Sequence, residues 1–208
     1  VHKVGWDGKT DWARIERCRC VAAADMKDTA GLAMRGVVDF NAGLSNLEPR
    51  GNLEQIVAAA KLLVETQAPP MLLITGGVGN GKTHISQAIT RLLNLRGFKT
   101  NYYPVKGLLD TLKSKISDHS LGDYKSALNR IPGLVLDDFG MNRGTDWELS
   151  ELESVIDHRY QHRMVTVMTS NLELKQINQI SPRIYSRFMD SQNSKCFVNN
   201  APDYRVSG

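Results

Sequence analysis

Leu53, Ile56, Val57, Ala60, Leu63 and Val64 recur at helical spacing, and Asn52 stands where an N-cap belongs. The pattern predicts a helix that Gln67-Ala-Pro-Pro70 stops, because proline cannot continue a helical hydrogen-bond ladder. Met71-Leu-Leu-Ile-Thr75 is an unbroken apolar run with the length of a buried strand. A glycine-rich stretch, 76–81, separates it from a second helix with Ile85, Ala88, Ile89, Leu92 and Leu93 on one face, ending near Gly97. The run 99–105 reads as a second strand, and Leu108, Leu109, Leu112 and Ile116 mark another helix. Leu134-Val-Leu136 is a third buried strand. A helix through Leu149, Leu152, Val155, Ile156 and Tyr160 follows, then a fourth strand over 164–168. Strands alternating with helices of this length predict an α/β fold, a mostly parallel sheet with helices on both faces. Residues 1–48 lack this regularity; they hold Trp6, Trp12, five glycines and Cys18-Arg-Cys20. The expected organisation is an N-terminal segment 1–48 and a regular domain 49–208.

Composition narrows the picture only a little. A chain of 208 residues, 41% hydrophobic and 23% charged, has the length and composition of one domain with a short appendage. Lys and Arg number 26 against 22 Asp and Glu, a formal +4, which permits a polyanionic partner without demanding one. Three cysteines make no disulfide framework, so a reducing, cytoplasmic setting is expected. No apolar run approaches the ~18 residues of a membrane span, and no signal peptide opens the chain. No membrane partner is expected. Val1 stands first in place of Met, from which the expectation arises that residues precede it in the natural product.

Four short strings carry the chemistry. Gly76-Gly-Val-Gly-Asn-Gly-Lys-Thr83 fits G-x-x-x-x-G-K-[ST], placed between a predicted strand and a predicted helix as that motif requires. Backbone N–H groups from Gly76, Gly77, Val78, Gly79, Asn80 and Gly81 turn inward on phosphates, and the helix dipole adds positive potential. Lys82 suits the β- and γ-phosphates, and the Thr83 hydroxyl suits Mg²⁺. Asp137 and Asp138 end the third strand, at the sheet edge where ligands bind in parallel sheets. Asp137 suits the Mg²⁺ shell and Asp138 the attacking water. Thr169-Ser-Asn171 ends the fourth strand in polar groups; Asn171, or Ser170 or Thr169 in a shifted register, can meet the water or γ-phosphate. Arg183 and Arg187 lie at i and i+4 on one helical face, with Ser181 as N-cap and Pro182 in the first turn.

In their order these strings resemble the Walker A, Walker B, sensor 1 and box VII plan of AAA+ ATPases. More narrowly, residues 49–208 resemble the DnaC/DnaI-type replicative helicase loaders and the related IstB transposition ATPases. The phrases that carry this include Gly81-Lys-Thr-His84, Asp137-Asp-Phe-Gly140, Arg159-Tyr160 and Asp203-Tyr-Arg205. The resemblance implies a P-loop NTPase core using ATP and Mg²⁺ (Thr83 and Asp137). It implies nucleotide contacts from residues 76–84, His84 included, and from Arg183. Catalysis would fall to Lys82, Asp137, Asp138 and Asn171, with Arg187 acting as an arginine finger on a neighbouring subunit. Arg205 would be a sensor-2-like contact. No helical lid domain is expected after Arg187. The implied partners are a replicative hexameric helicase, single-stranded DNA and further copies of the chain, in a bacterial or phage-infected cell. The N-terminal segment would dock the helicase. A transposition helper and a non-hydrolysing nucleotide-dependent scaffold are the alternatives; the shorter Asp138, where such ATPases often carry Glu, keeps the second open.

Two further sets stay open. Arg17-Cys-Arg-Cys20 resembles half of a zinc cluster, but Cys18 and Cys20, even with distant His2, do not close a tetrahedral site. Zinc is expected only if upstream cysteines exist. Lys106, Lys113, Lys115 and Lys125, with Tyr102, Tyr103 and Tyr124, read either as a single-stranded DNA surface or as a solvated helix face with core tyrosines. Cys196 reads as a core residue.

Overall fold

The structure is a computed structural model, and it describes residues 43–44, 50–140 and 144–204. The first helix among the described residues, α1 (Leu53–Thr66), buries Leu53, Ile56, Ala60, Leu63 and Val64. Gln67 closes it in the left-handed conformation, its N–H returning to the Leu63 carbonyl at 2.9 Å. Asn52 holds the N-cap place but does not cap with its side chain. Its amide instead spans to the far end of the chain, donating to the Val198 carbonyl (2.8 Å) and accepting from the Asn200 N–H (3.1 Å).

The remaining elements alternate. They are β1 (Met71–Gly76), α2 (Lys82–Leu95), β2 (Thr100–Pro104), α3 (Val105–Ser117), α4 (Leu121–Asn129), β3 (Gly133–Phe139) and α5 (Asp146–Gln161). There follow β4 (Val165–Ser170), α6 (Leu174–Ile180), α7 (Pro182–Met189) and β5 (Ser194–Asn199). The sheet order is β2-β3-β4-β1-β5, and every pairing is parallel. Successive residues of β1 serve opposite faces. Leu72 and Ile74 join α1 and α2 on one side, while Met71 and Leu73 join α3, α4, α5 and α7 on the other. A strand buried on both faces reads as continuously apolar, which is why the run 71–74 shows no alternation. Leu44 is buried in the first of these clusters, so the core takes a residue from before position 49.

The connection β1–α2–β2 skips two strands, and β3 and β4 then fill the gap. That order brings the carboxyl ends of β1, β3 and β4 side by side, the usual ligand edge of such sheets. One buried cation fixes the opposite end. Arg159 on α5 has no solvent exposure and donates to Thr166 Oγ1 (2.9 Å) and to the carbonyls of Ile131 (2.8 Å), Pro132 (2.9 Å) and Val165 (2.7 Å). Burial lowers its pKa to about 10, still well above neutral pH. No helix among the described residues is long and apolar enough to cross a membrane. The residue 48/49 boundary and the cysteines of the first segment lie outside the described residues, as do His2 and Arg205.

Candidate nucleotide site

Residues 76–83 form a tight turn from β1 into α2. Gly76, Gly79 and Gly81 have φ of +138°, +73° and +89°, a region that favours glycine. A Cβ on Gly76 would strike the Asn199 carbonyl, whereas the Gly77 side of the loop is open. Asn80 locks the loop to β5: its Nδ2 donates to the Asn199 carbonyl (3.0 Å), and Asn199 Nδ2 donates back to the Asn80 carbonyl (2.7 Å). Lys82 Nζ donates to the carbonyls of Gly76 (2.9 Å) and Gly77 (2.5 Å) and to Asn80 Oδ1 (3.0 Å). Burial lowers its pKa, opposed by the charges of Asp138 and Asp137. Glycine freedom, an inward ammonium and a helix N-terminus together fit a polyphosphate. His84, by contrast, is engaged with the Gly43 carbonyl at 3.1 Å. After β5 the chain returns over the loop. The Tyr204 N–H donates to the Gly79 carbonyl (3.0 Å), and the Asp203 carboxylate lies where a Gly79 Cβ would be.

Asp137 sits opposite, gripped by four hydroxyls. Thr83 Oγ1 (3.0 Å) and the Tyr102 OH (2.7 Å) donate to Oδ2, and Thr169 Oγ1 (2.5 Å) and Ser86 Oγ (3.2 Å) donate to Oδ1. The buried carboxylate is thereby pinned beside the exposed Thr83, an all-oxygen donor pair suited to Mg²⁺. The next residue breaks the β3–β4 register. Asp138 has φ +65°, sits at a bulge, and donates its N–H to Thr169 Oγ1 at 3.0 Å. Its side chain turns to Asn171, whose Nδ2 donates to Asp138 Oδ1 at 2.8 Å. Burial, and then the Asp137 charge, raises the Asp138 pKa, with Lys82 acting the other way. Of the three polar residues ending β4, Thr169 holds Asp137 and Asn171 holds Asp138. Ser170 is buried on the Phe139 carbonyl at 2.7 Å.

Arg183 and Arg187 are not part of this constellation. Both reach across to α5, where the Nε of Arg183 bonds Asp157 Oδ2 and the Nε of Arg187 bonds Asp157 Oδ1 at 2.9 Å. Ser181 caps α7 as expected, accepting the Ile184 N–H at 3.0 Å. Tyr102 and Tyr103 are 3% and 4% exposed, so base stacking is excluded for both; β2 is an edge strand whose side chains enter the core on both faces. Tyr124 is half-buried against the same core. Lys113, Lys115 and Lys125 pair with Glu148, Asp118 and Glu151, and Lys106 is exposed. Cys196 is partly buried, which pushes its thiol up to about 11.

Sequence patterns alone miss Tyr102, Ser86, Asn199 and Asp157. Tyr102 reads as a base-stacking or a core aromatic, and only the β2–β3 pairing puts its hydroxyl beside Asp137. For Asn199 and Asp157 the nearest signal is a polar residue at the end of an apolar run or on a buried helix face.

Known proteins resemble this chain in sequence and in fold. Chromosomal replication initiator protein DnaA of Thermoanaerobacter sp. (strain X514) is 29% identical over 159 residues, which cover 70% of this chain and 36% of DnaA. The chain therefore spans about a third of the length of that curated relative. The crystal structure of the DnaC helicase loader matches with a TM-score of 0.67 at 22% identity, over 76% of this chain and 97% of that one. DnaA bound to AMPPCP and single-stranded DNA matches with a TM-score of 0.73 at 19% identity, over 80% and 52%. At such identities the structural likeness is one of fold, the AAA+ form of the P-loop NTPases. The sequence itself goes further, because residues 9–183 match the family model of the IstB-like ATP binding proteins, and the chain belongs to that family.

Proposed function

We propose that the protein is an ATPase of the helicase-loader type, binding ATP with Mg²⁺ between copies of itself, holding single-stranded DNA and delivering or remodelling a replicative helicase. The observation that carries the reading is the gathering of Lys82, Thr83, Asp137, Asp138 and Asn171 at one sheet edge. Bound ATP supplies an electrophilic γ-phosphorus, and Mg²⁺ spreads the charge of its oxygens. Residues 76–83 wrap the phosphates, and Lys82 exchanges its carbonyl partners for phosphate oxygens. Thr83 and Asp137 hold the metal, with Tyr102, Ser86 and Thr169 fixing the carboxylate. Asp138 takes the proton of the attacking water, and Asn171 keeps Asp138 aimed. Arg187 completes the site of a second copy, and Arg183 lies beside it on the same face. The N-terminal segment, residues 1–48, docks the helicase, in the cytoplasm of a bacterial or phage-infected cell.

Lys82→Ala is expected to abolish turnover in a steady-state ATPase assay; equal rates for both proteins would end the enzyme reading. Mixing Arg187→Ala with Lys82→Ala protein is expected to restore activity, since one supplies an intact loop and the other an intact finger. The IstB-like family favours a second reading, a transposition helper. Pull-down with a replicative helicase against a transposase separates the two.

A further inference from the structure

Arg187 is 30% exposed at its side chain, yet its position is determined from two sides. Its Nε donates to Asp157, and its guanidinium lies over the Tyr160 ring at 4.7 Å. Tyr160 is fixed in turn, its hydroxyl donating to Asp190 Oδ2 at 2.7 Å. Asp157 is 6% exposed and serves both arginines, one oxygen to each, through Nε in both cases. A guanidinium has five donors, and the strongest carboxylate pairing is a two-bond fork. Here both arginines meet Asp157 through Nε, and Tyr160 is the second neighbour that holds the Arg187 guanidinium. A second tie fixes the helix that carries them, with Ser181 Oγ at the start of α7 donating to Glu153 Oε1 of α5 at 2.5 Å.

We propose that Asp157 is a positioning residue for the arginine pair: it holds Arg183 and Arg187 by Nε so that their guanidinium groups meet a second copy's triphosphate already oriented. This rests on the reading above that Arg187 acts between copies. A flexible arginine loses rotamer freedom when it meets a phosphate, and prior fixation removes that loss from the reaction step. The effect belongs on turnover, because the nucleotide is already held by the other copy's loop.

The test is a double-mutant cycle in the full chain, reading ATPase kcat and KM together with binding of a fluorescent ATP analogue. Asp157→Asn is expected to lower kcat ~10- to 100-fold while KM and analogue affinity stay within ~2-fold. In an Arg183→Ala/Arg187→Ala background it is expected to cost nothing further, because its effect passes through those two arginines. Asp157→Glu, which keeps the charge and moves it outward by one methylene, runs through the same cycle, so a folding loss in one variant leaves the other to decide. A loss that persists in the Arg183→Ala/Arg187→Ala background, or no loss at all, overturns the proposal. Full turnover in Arg187→Ala itself removes the finger reading as well. Impaired Arg187→Ala beside unimpaired Asp157 variants removes this proposal alone.

Discussion

Asp138 holds the least comfortable position in the site. It is a non-glycine residue at φ +65°, and its carboxyl pKa is raised by burial and by the neighbouring Asp137 charge. Left-handed backbone is tolerated best by Asn and Gly, and a raised carboxyl pKa means that folding disfavours the ionised form. Asp138→Asn answers both at once. The sign is fixed: an acid with a raised folded pKa stabilises the fold below its unfolded value and loses that contribution as pH rises through the folded value. At neutral pH the amide is therefore expected to unfold at a higher temperature than the parent. As the proposed base it must be ionised, so wild-type turnover is expected to fall on the acid side at a pH above the ordinary carboxylate range. The variant is expected to lose ~100-fold or more above that fall, where the parent's Asp138 is ionised, while still binding nucleotide. Thermal unfolding beside a pH–rate profile checks both signs; a variant that is less stable and still active would refute the assignment.

Elements were legible to the extent that their burial is periodic. α1 and α2 each bury a full stripe, and β1 is apolar on both faces, so all three stand out in the pattern. α4 buries only Leu128 fully, and α6 only Ile177, too little to mark a helix. β5 is an edge strand whose buried ends are Ser194 and Asn199, so its apolar run shrinks to three residues. The site divides the same way. Residues 76–83 and 137–138 are local strings, whereas Tyr102 and Asp157 acquire roles only through strand order and helix packing. Arg159 is the case where an element depends on one side chain. Its four bonds tie the end of α5 to the starts of β3 and β4, where helix and strand ladders leave carbonyls unpaired. Arg159→Ala removes all four bonds and opens a cavity in a fully buried site. A loss of ~3–5 kcal/mol is expected in urea unfolding, from stranded acceptors and lost packing together. A shift below ~1 kcal/mol would mean that water or a neighbouring donor replaces the guanidinium.

At the scale of the whole molecule, charge is the quantity that changes meaning on assembly. The protein carries only +4, and three of the four lysines after β2 are paired with Glu148, Asp118 and Glu151. Affinity for a nucleic-acid strand rises with the number of phosphates neutralised, and each contact adds to the slope of log K against log salt. A single copy, with Lys106 exposed on that surface, offers few such contacts. Copies joined through bound ATP would set several surfaces along one strand, and the contacts would multiply without any change within a copy. Single-stranded DNA binding, followed by fluorescence anisotropy, is therefore expected to be weak without nucleotide and ~10-fold or more tighter with ATP. The salt slope is expected to steepen with ATP, and Lys82→Ala is expected to keep the weak, shallow behaviour throughout. Lys106→Ala is expected to flatten the ATP-dependent slope while leaving nucleotide binding intact. A slope identical with and without ATP would mean that one copy binds the strand unaided, and the basic face would then have to lie elsewhere on the chain.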